Sequence, residues 1–165
     1  LVISGCGANN STDDTTEAIS LNQVGEYSGA PYVYLNNNMP YFTDEEKENT
    51  KPFENYSSLD DLGRCGVAFA NIYKELMPTE ERGPIGQIKP SGWHTVKYNG
   101  IIDGNYLYNR CHLIGYQLTG ENANELNLIT GTRYLNTEGM EGFENTVGDY
   151  VAEMENHVVW EDTKL

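Results

Sequence analysis

The sequence predicts a single domain of the α+β class, with a mostly antiparallel sheet and few helices. Two segments, residues 31–35 and 93–98, are rich in the aromatic and β-branched residues that favour strands. A third segment, residues 142–155, carries apolar residues close to helical spacing. The chain has 165 residues, which is enough to bury one hydrophobic core.

The elements follow in order from residue 30, where the folded part is predicted to begin. After the strand at 31–35, three asparagines at 36–38 predict a turn. Thr43 is followed by three acidic residues, which is typical of a helix N-terminus, because the hydroxyl caps the first turn and the helix dipole favours negative charge there. Pro52 limits this helix to a short one.

Further along the chain, residues 65–73 form a mostly apolar run that fits either a buried strand or a short helix. A stretch rich in glycine and proline then leads to the strand predicted at 93–98. Asn99 and Gly100 indicate a hairpin-type turn, and residues 106–108 predict the next strand.

The N-terminal part, residues 1–29, is predicted to lie outside the folded domain, which spans residues 30–165. An apolar run followed by Ser, Gly and Cys6 resembles the lipobox of bacterial lipoproteins and predicts a lipid anchor at Cys6. The polar residues that follow have the composition of a solvated tether. The expected location is extracellular or on a bacterial cell surface. The alternative is an apolar terminus that arose by chance, since no basic signal-peptide region precedes it.

Charge and composition exclude several classes of protein. Ten Lys and Arg oppose 25 Asp and Glu, for a net charge of −15, which excludes tight binding of nucleic acid through a broad basic surface. An enzyme that needs positive charge at one site remains compatible with this balance. Mean hydropathy is −0.57, and no run approaches the roughly 20 apolar residues that cross a bilayer. Three cysteines are too few for a disulfide scaffold.

The chemistry concentrates in a polar tetrad, Asn109-Arg110-Cys111-His112, between apolar residues at the end of a predicted strand. Neutral imidazole accepts a proton from water near neutral pH, and a guanidinium two residues away can form paired hydrogen bonds with phosphate oxygens. Taken alone, a histidine in an apolar stretch is more often structural than catalytic. The tetrad therefore needs support from the rest of the chain.

That support is a resemblance to the DNA/RNA non-specific endonucleases, which have a ββα-metal fold, also called the His-Me finger fold. Residues 109–112 resemble the family's Asp-Arg-Gly-His signature. Asn127 and Asn136 lie nine positions apart, and Glu144 follows eight positions later, as the family's two asparagines and acidic residue do.

Two upstream stretches, residues 59–64 and 88–93, are similar to segments of Gram-positive secreted and DNA-entry nucleases. The resemblance extends over residues 31–159, which is most of the predicted domain. Four ordered motifs at matching spacings are far more specific than one tetrad. The chain stops soon after the predicted catalytic helix, where relatives continue with further strands, so the sheet is expected to be incomplete or completed by another chain.

The resemblance implies a role for each matching residue. His112 would be the general base that deprotonates the attacking water, and Arg110 would hold the scissile phosphate or its leaving oxygen. Asn136 would bind one Mg²⁺, which keeps most of its own water. Glu144 would act through metal-bound water, and Asn127 would support the substrate or the geometry of the site.

Each assignment has an alternative. A regular helix separates Asn136 from Glu144 by about 12 Å along its axis, too far for both to bind one ion directly at about 2.1 Å. Asn136 could instead cap a helix, and Glu144 could lie on a solvated helix face. Arg110 could pair with a carboxylate, and Asn127 could be an ordinary turn residue.

Two residues depart from the family's tetrad, since Asn109 replaces Asp and Cys111 replaces Gly. Cys111 could be buried apolar filling, a disulfide partner of Cys65, or a thiol beside the base. A second basic residue that contacts phosphate is left open among four candidates: Arg82, Lys89, Lys97 and Arg133.

These observations predict a Mg²⁺-dependent, sequence-non-specific endonuclease that hydrolyses phosphodiester bonds in DNA and, as a second substrate, RNA. The strongest competitor is a non-catalytic surface module that keeps the fold and binds a protein or a glycan, which the net charge of −15 favours. Only the enzyme predicts Mg²⁺-dependent nicking of plasmid DNA. The oligomeric state stays open.

Overall fold

The computed structural model describes residues 2–4, 21–154 and 156–162. Its strands and helices alternate along the chain in a mixed order. The strands are β1 (Val2–Ser4), β2 (Phe53–Tyr56), β3 (Ala68–Ile72), β4 (Tyr108–His112), β5 (Leu128–Thr132) and β6 (Val158–Asp162). The α-helices are α1 (Asp44–Glu48), α2 (Tyr116–Thr119) and α3 (Glu141–Met154), and a π-helical stretch, Leu135–Met140, runs directly into α3.

The strands form two separate sheets. An antiparallel sheet of four strands has the order β1-β6-β3-β2, and β4 pairs with β5 in an antiparallel hairpin. The hydrophobic core lies between the larger sheet, α3 and the segment after β4. Its largest fully buried side chains are aliphatic or aromatic: Ile72, Ile114, Leu118, Val147, Val151 and Trp160.

Several sequence predictions are confirmed. Helix α1 begins after Thr43, whose hydroxyl accepts a hydrogen bond from the Glu46 backbone N–H, while the Glu46 carboxylate accepts one from the Thr43 N–H. The asparagines at 36–38 form a turn with φ of 48°, 54° and 60°, a left-handed conformation that Asn tolerates better than most residues. The apolar run at 65–73 contains β3, so it is a buried strand.

Two predicted strands are wrong. Residues 31–35 form no ladder, and residues 93–98 contribute only one isolated bridge, between Lys97 and Tyr106. The aromatic side chains in these segments pack on neighbouring elements instead of marking sheet positions. The strand predicted at 106–108 begins at Tyr108 and continues through the tetrad.

The C-terminal helix prediction at 142–155 is confirmed by α3, which begins at Glu141. Residues 158–162, for which the sequence predicts no element, form β6 between β1 and β3. The tether residues 5–20, with the predicted anchor at Cys6, lie outside the described residues. Among the residues described, no helix is long and apolar enough to cross a membrane.

Candidate active site

One small pocket collects most of the residues that the motifs single out. It has a volume of about 100 Å³ and lies where the end of β4, helix α2 and the start of α3 meet. Its lining is polar and carries both signs of charge: Arg82, His112, Tyr116, Gln117, Asn136, Glu141 and Glu144. Three of the five predicted site residues, His112, Asn136 and Glu144, therefore share one cavity.

His112 is the last residue of β4 and is buried, with 6% of its surface exposed. Its Nε2 lies 2.8 Å from the backbone carbonyl oxygen of Asn122. A carbonyl oxygen only accepts, so Nε2 carries the ring proton. Nδ1 lies 3.3 Å from the Arg82 guanidinium, which only donates, so Nδ1 carries the lone pair on the pocket side.

The protonation of His112 follows from its surroundings. Burial lowers the pKa of His112 and the positive charge of Arg82 lowers it further, although the Asn122 carbonyl raises it. The imidazole is therefore neutral at physiological pH, with a defined tautomer. A neutral ring with its lone pair directed at a polar pocket is the form that accepts a proton from water.

Arg82 answers the question of the second cation, which the sequence leaves open among four residues. It contacts His112 and lines the pocket from a loop. The Tyr116 hydroxyl donates to the backbone carbonyl of Glu80 at 2.8 Å and so fastens this loop beside α2. Arg133, in contrast, is paired with Asp103 at 2.9 Å, away from the pocket.

Arg110 is engaged elsewhere, although it lies two residues before His112 on the same strand. Its Nε donates to the carbonyl of Ile88, and its Nη2 donates to the carbonyl of Gly86 at 3.0 Å. The guanidinium lies 3.7 Å from the centre of the Trp93 ring. These contacts fix the loop over residues 86–93, and the structure does not place Arg110 on the pocket.

The π-helical stretch explains why Asn136 and Glu144 reach the same cavity. The Glu141 backbone N–H bonds to the carbonyl of Asn136, five residues earlier, which brings Glu141 over Asn136. Glu144 follows on the same face, three residues later. Asn136 lies inside the helical run and not at its N-cap, which is Tyr134. Glu141 is a pocket residue that the sequence analysis missed.

Glu144 is held in a way that perturbs its ionisation. Burial raises the pKa of Glu144 to about 7, and Glu141 raises it further, while the hydrogen bond from Gln117 and the charge of Arg82 lower it. Gln117 Nε2 donates to Glu144 Oε2 at 2.9 Å. A Cβ at Gly115 would lie 2.8 Å from that carboxylate, so the glycine leaves the space in which Glu144 sits.

Asn127 supports the site from below. It is fully buried and does not line the pocket. Its Oδ1 accepts from the backbone N–H of Ile114 at 2.8 Å, and its Nδ2 donates to the Ile114 carbonyl at 3.0 Å. The Asn127 carbonyl also accepts from Leu113 N–H. Together these bonds fix the turn that follows His112, which fits support of the site geometry.

Cys111 is a buried free thiol and forms no disulfide with Cys65. Burial raises the pKa of the Cys111 thiol to about 12, so it is neutral and poorly nucleophilic at physiological pH. Of the three interpretations of Cys111, buried filling fits the structure.

The pocket's oxygen atoms suit a hard divalent cation. Asn136 offers a side-chain carbonyl, and Glu141 and Glu144 offer carboxylates, on one lining. In the part of the chain that the structure describes, no group of three or more His, Cys, Asp or Glu has metal-site spacing. Few protein ligands are typical of Mg²⁺, which keeps several waters, whereas structural zinc needs a closed set of nitrogen or sulfur ligands.

Comparison with solved structures gives similar folds. The chain is similar to NucA from Streptococcus agalactiae with a magnesium ion bound, at a TM-score of 0.62 and 24% identity, covering 71% of this chain and 58% of NucA. It is similar to NucA with no metal bound, at a TM-score of 0.60 and 22% identity, covering 73% and 59%. The Sda1 nuclease with a bound zinc ion gives 0.57 and 26%, covering 72% and 67%.

Fold and pocket together define the class of protein. The hairpin that carries His112, the helix that carries Asn136 and Glu144, and the likeness to NucA and Sda1 identify a ββα-metal nuclease fold, as the sequence predicts. Residues 42–162 match the family model for the DNA/RNA non-specific endonuclease. The chain belongs to this family. It spans 58% of the length of magnesium-bound NucA. Among curated proteins, none matches it by sequence.

Proposed function

We propose that the domain is a divalent-metal-dependent, sequence-non-specific endonuclease that hydrolyses phosphodiester bonds in DNA and RNA, with His112 as general base. One observation carries this proposal. The Nε2 proton of His112 is held by the Asn122 carbonyl, so the Nδ1 lone pair faces a pocket that also contains Arg82, Asn136 and Glu144.

In the proposed mechanism, a phosphodiester enters the pocket and draws Arg82 onto its non-bridging oxygens, which frees Nδ1 of His112. Nδ1 then takes a proton from a water molecule, and the water oxygen attacks phosphorus. The bond from phosphorus to the leaving ester oxygen breaks, and that oxygen receives a proton from solvent. Arg82 stabilises the negative charge that grows on the phosphate in the transition state.

Asn136, with Glu141 and Glu144 beside it, would hold the divalent cation. A bound cation supplies positive charge against the phosphate oxygens. Mg²⁺ is the proposed ion because the donors are oxygen atoms and because NucA has been solved with magnesium. Glu144 is suited to orient water in this space, since Gln117 fixes its carboxylate at 2.9 Å.

A plasmid-nicking assay tests the proposal. The purified domain should convert supercoiled plasmid to the nicked form in Mg²⁺ and lose this activity in EDTA. Single-stranded RNA should be degraded in the same buffer. The non-catalytic surface module predicts no cleavage at any Mg²⁺ concentration. Nicking that survives His112→Ala would indicate a contaminating nuclease and would count against the assignment.

We also propose an extracellular, surface-tethered location, with Cys6 as the lipid-bearing residue. The support is the apolar run before Cys6 and the polar composition of the residues that follow it. The native precursor should partition with membranes, and Cys6→Ser should release it. Recovery of the native precursor in the soluble fraction, without lipid, would reject the anchor.

A further inference from the structure

Charge is distributed unevenly along the chain. Residues 82–120 contain four basic residues and one acidic residue, whereas the chain as a whole contains 10 basic and 25 acidic residues. This segment is therefore at +3, and the remainder, with six basic and 24 acidic residues, is at −18. The segment includes β4 and the loop that leads to it, so the positive charge adjoins the pocket.

The loop lies along β4 through a series of side-chain pairs. Since side chains on one face of a strand alternate, every second residue from 106 to 112 faces the same way, and each meets a loop residue. The pairs run outward from the pocket: Arg82 with His112 at 3.3 Å, Trp93 with Arg110 at 3.7 Å, His94 with Tyr108 at 4.4 Å, and Lys97 with Tyr106 at 4.5 Å. At about 3.3 Å per residue this series is about 20 Å long.

The cations in this series lack acidic partners. In the described residues, Lys47, Arg64 and Arg133 form ion pairs with aspartates. Lys89 and Lys97 form none within 4 Å in the same part of the chain, and both are exposed. In a protein at −15, cations that are left without acidic partners beside a phosphodiester-sized pocket have a natural counterpart in phosphate.

We infer that Lys89, Trp93, Lys97 and Tyr106, here called the outer strip, bind the nucleic-acid strand on one side of the cleaved bond. Lys89 and Lys97 contact phosphates, and the exposed faces of Trp93 and Tyr106 pack against bases or sugars. Arg110 acts through Trp93, because it supports the ring from behind. The acidic remainder repels the strand elsewhere and so directs it along this strip. The inference rests on the proposed nuclease function.

The test compares Lys89→Gln and Lys97→Gln with Lys51→Gln, an exposed lysine on the far side of the larger sheet's edge strand β2. With oligonucleotide substrate in Mg²⁺, each strip variant should raise KM roughly threefold and leave kcat nearly unchanged, since one exposed charge contributes little more than this. The Lys51 variant should match the wild type. Equal KM values for all three variants and the wild type would overturn the strip.

A binding measurement separates the strip from catalysis. In the His112→Ala background, log K for duplex DNA is plotted against log salt, and each strip variant should make the slope shallower by about 0.9. Trp93 provides a second signal, because Trp160 is fully buried and the chain has two tryptophans. Oligonucleotide should change the emission of the wild type, and Trp93→Phe should abolish that change.

The outcomes are distinguishable. A wild type that cleaves, with strip variants that keep the wild-type KM, slope and emission change, rejects the strip and leaves the nuclease proposal intact. A wild type that does not cleave rejects the nuclease function, and the slope and emission then decide the strip alone. Thermal melts of the lysine variants should match the wild type, since both side chains are exposed.

Discussion

Two arginines, Arg82 and Arg110, illustrate how one site can use the same residue type in opposite ways. Arg110 belongs to the tetrad and lies on the same strand as His112, yet its guanidinium is bonded to the carbonyls of Ile88 and Gly86 and stacked on Trp93. Arg82 comes from a loop 30 positions before His112, yet it reaches His112 Nδ1 and lines the pocket.

The difference teaches that the partners of an arginine, more than its place in a motif, decide what it can bind. Nitrogens that already donate to backbone carbonyls hold the chain in place, and moving them toward a phosphate would leave those carbonyls unpaired. Arg82 loses only a bond to an imidazole when phosphate arrives. The pocket therefore has one mobile cation and one anchored cation.

The largest effect is expected at the base that Arg82 contacts. His112→Ala should lower kcat by roughly 10² to 10⁴, the usual contribution of a positioned general base. Plasmid nicking under single-turnover conditions measures it. His157→Ala, outside the pocket, serves as the control and should keep near-normal kcat. Near-normal cleavage by His112→Ala would remove the base from the mechanism.

The two arginines themselves give the next effect. Arg82→Ala should lower kcat by about 10² to 10³, as loss of one transition-state donor does, and should leave the melting temperature nearly unchanged because Arg82 is exposed. Arg110→Ala should change kcat by less than about threefold, raise KM through Trp93, and destabilise the fold by about 1 to 3 kcal/mol. If the two variants exchange these phenotypes, the comparison is reversed.

The sequence predicts one half of this site better than the other. His112, Asn136 and Glu144 lie on single elements, where spacing along a strand or helix decides which side chains share a face. Arg82, Gln117 and Glu141 escaped prediction for separate reasons. Loop packing brings Arg82 to the pocket, Gln117 is defined by its bond to Glu144, and Glu141 depends on the π-helical turn. None of these leaves a periodic signal in the sequence.

The fold shows a similar division. The cap at Thr43 and the amphipathic pattern of α3 are local, and both predictions are confirmed. The strand predicted at 93–98 failed because its aromatic residues pack on β4 from outside, a tertiary arrangement that composition does not distinguish from a sheet position.

The metal side of the pocket should respond less than the arginine side. Asn136→Ala should raise the Mg²⁺ concentration for half-maximal activity by roughly 10-fold to 100-fold, while Asn136→Asp keeps an oxygen donor and should stay close to the wild type. Mg²⁺ titrations of both variants measure this. An unchanged titration for Asn136→Ala would place the ion elsewhere.

The smallest effect concerns Glu144 in the metal-free protein. The pKa of Glu144 is about 7 in the folded state, above its ordinary value near 4.5, so folding favours the neutral acid. The stability that this group contributes is present below about pH 4.5 and is lost as the pH rises through 7. Glu144→Gln should therefore raise the free energy of unfolding at pH 8 by about 1 to 3 kcal/mol and change it little at pH 4.

Urea denaturation in EDTA at the two pH values tests this sign, with Asp149→Asn, an exposed acid on the same helix, as the matched control. Cleavage by Glu144→Gln should fall only about tenfold, because Gln keeps an oxygen beside the ion. A variant that is less stable than the wild type at pH 8 would contradict the buried-acid description.

The contact between Cys111 and Gly131 shows how one strand pair can tolerate an altered tetrad. A Cβ at Gly131 would lie 2.6 Å from Cys111 Sγ, so the two positions share a single volume that holds one side chain but not two. A relative with glycine at the position of Cys111 has room for a side chain at the position of Gly131. Cys111→Gly and Gly131→Ala should therefore be harmful singly and better tolerated together, which makes the pair a reciprocal exchange across the hairpin.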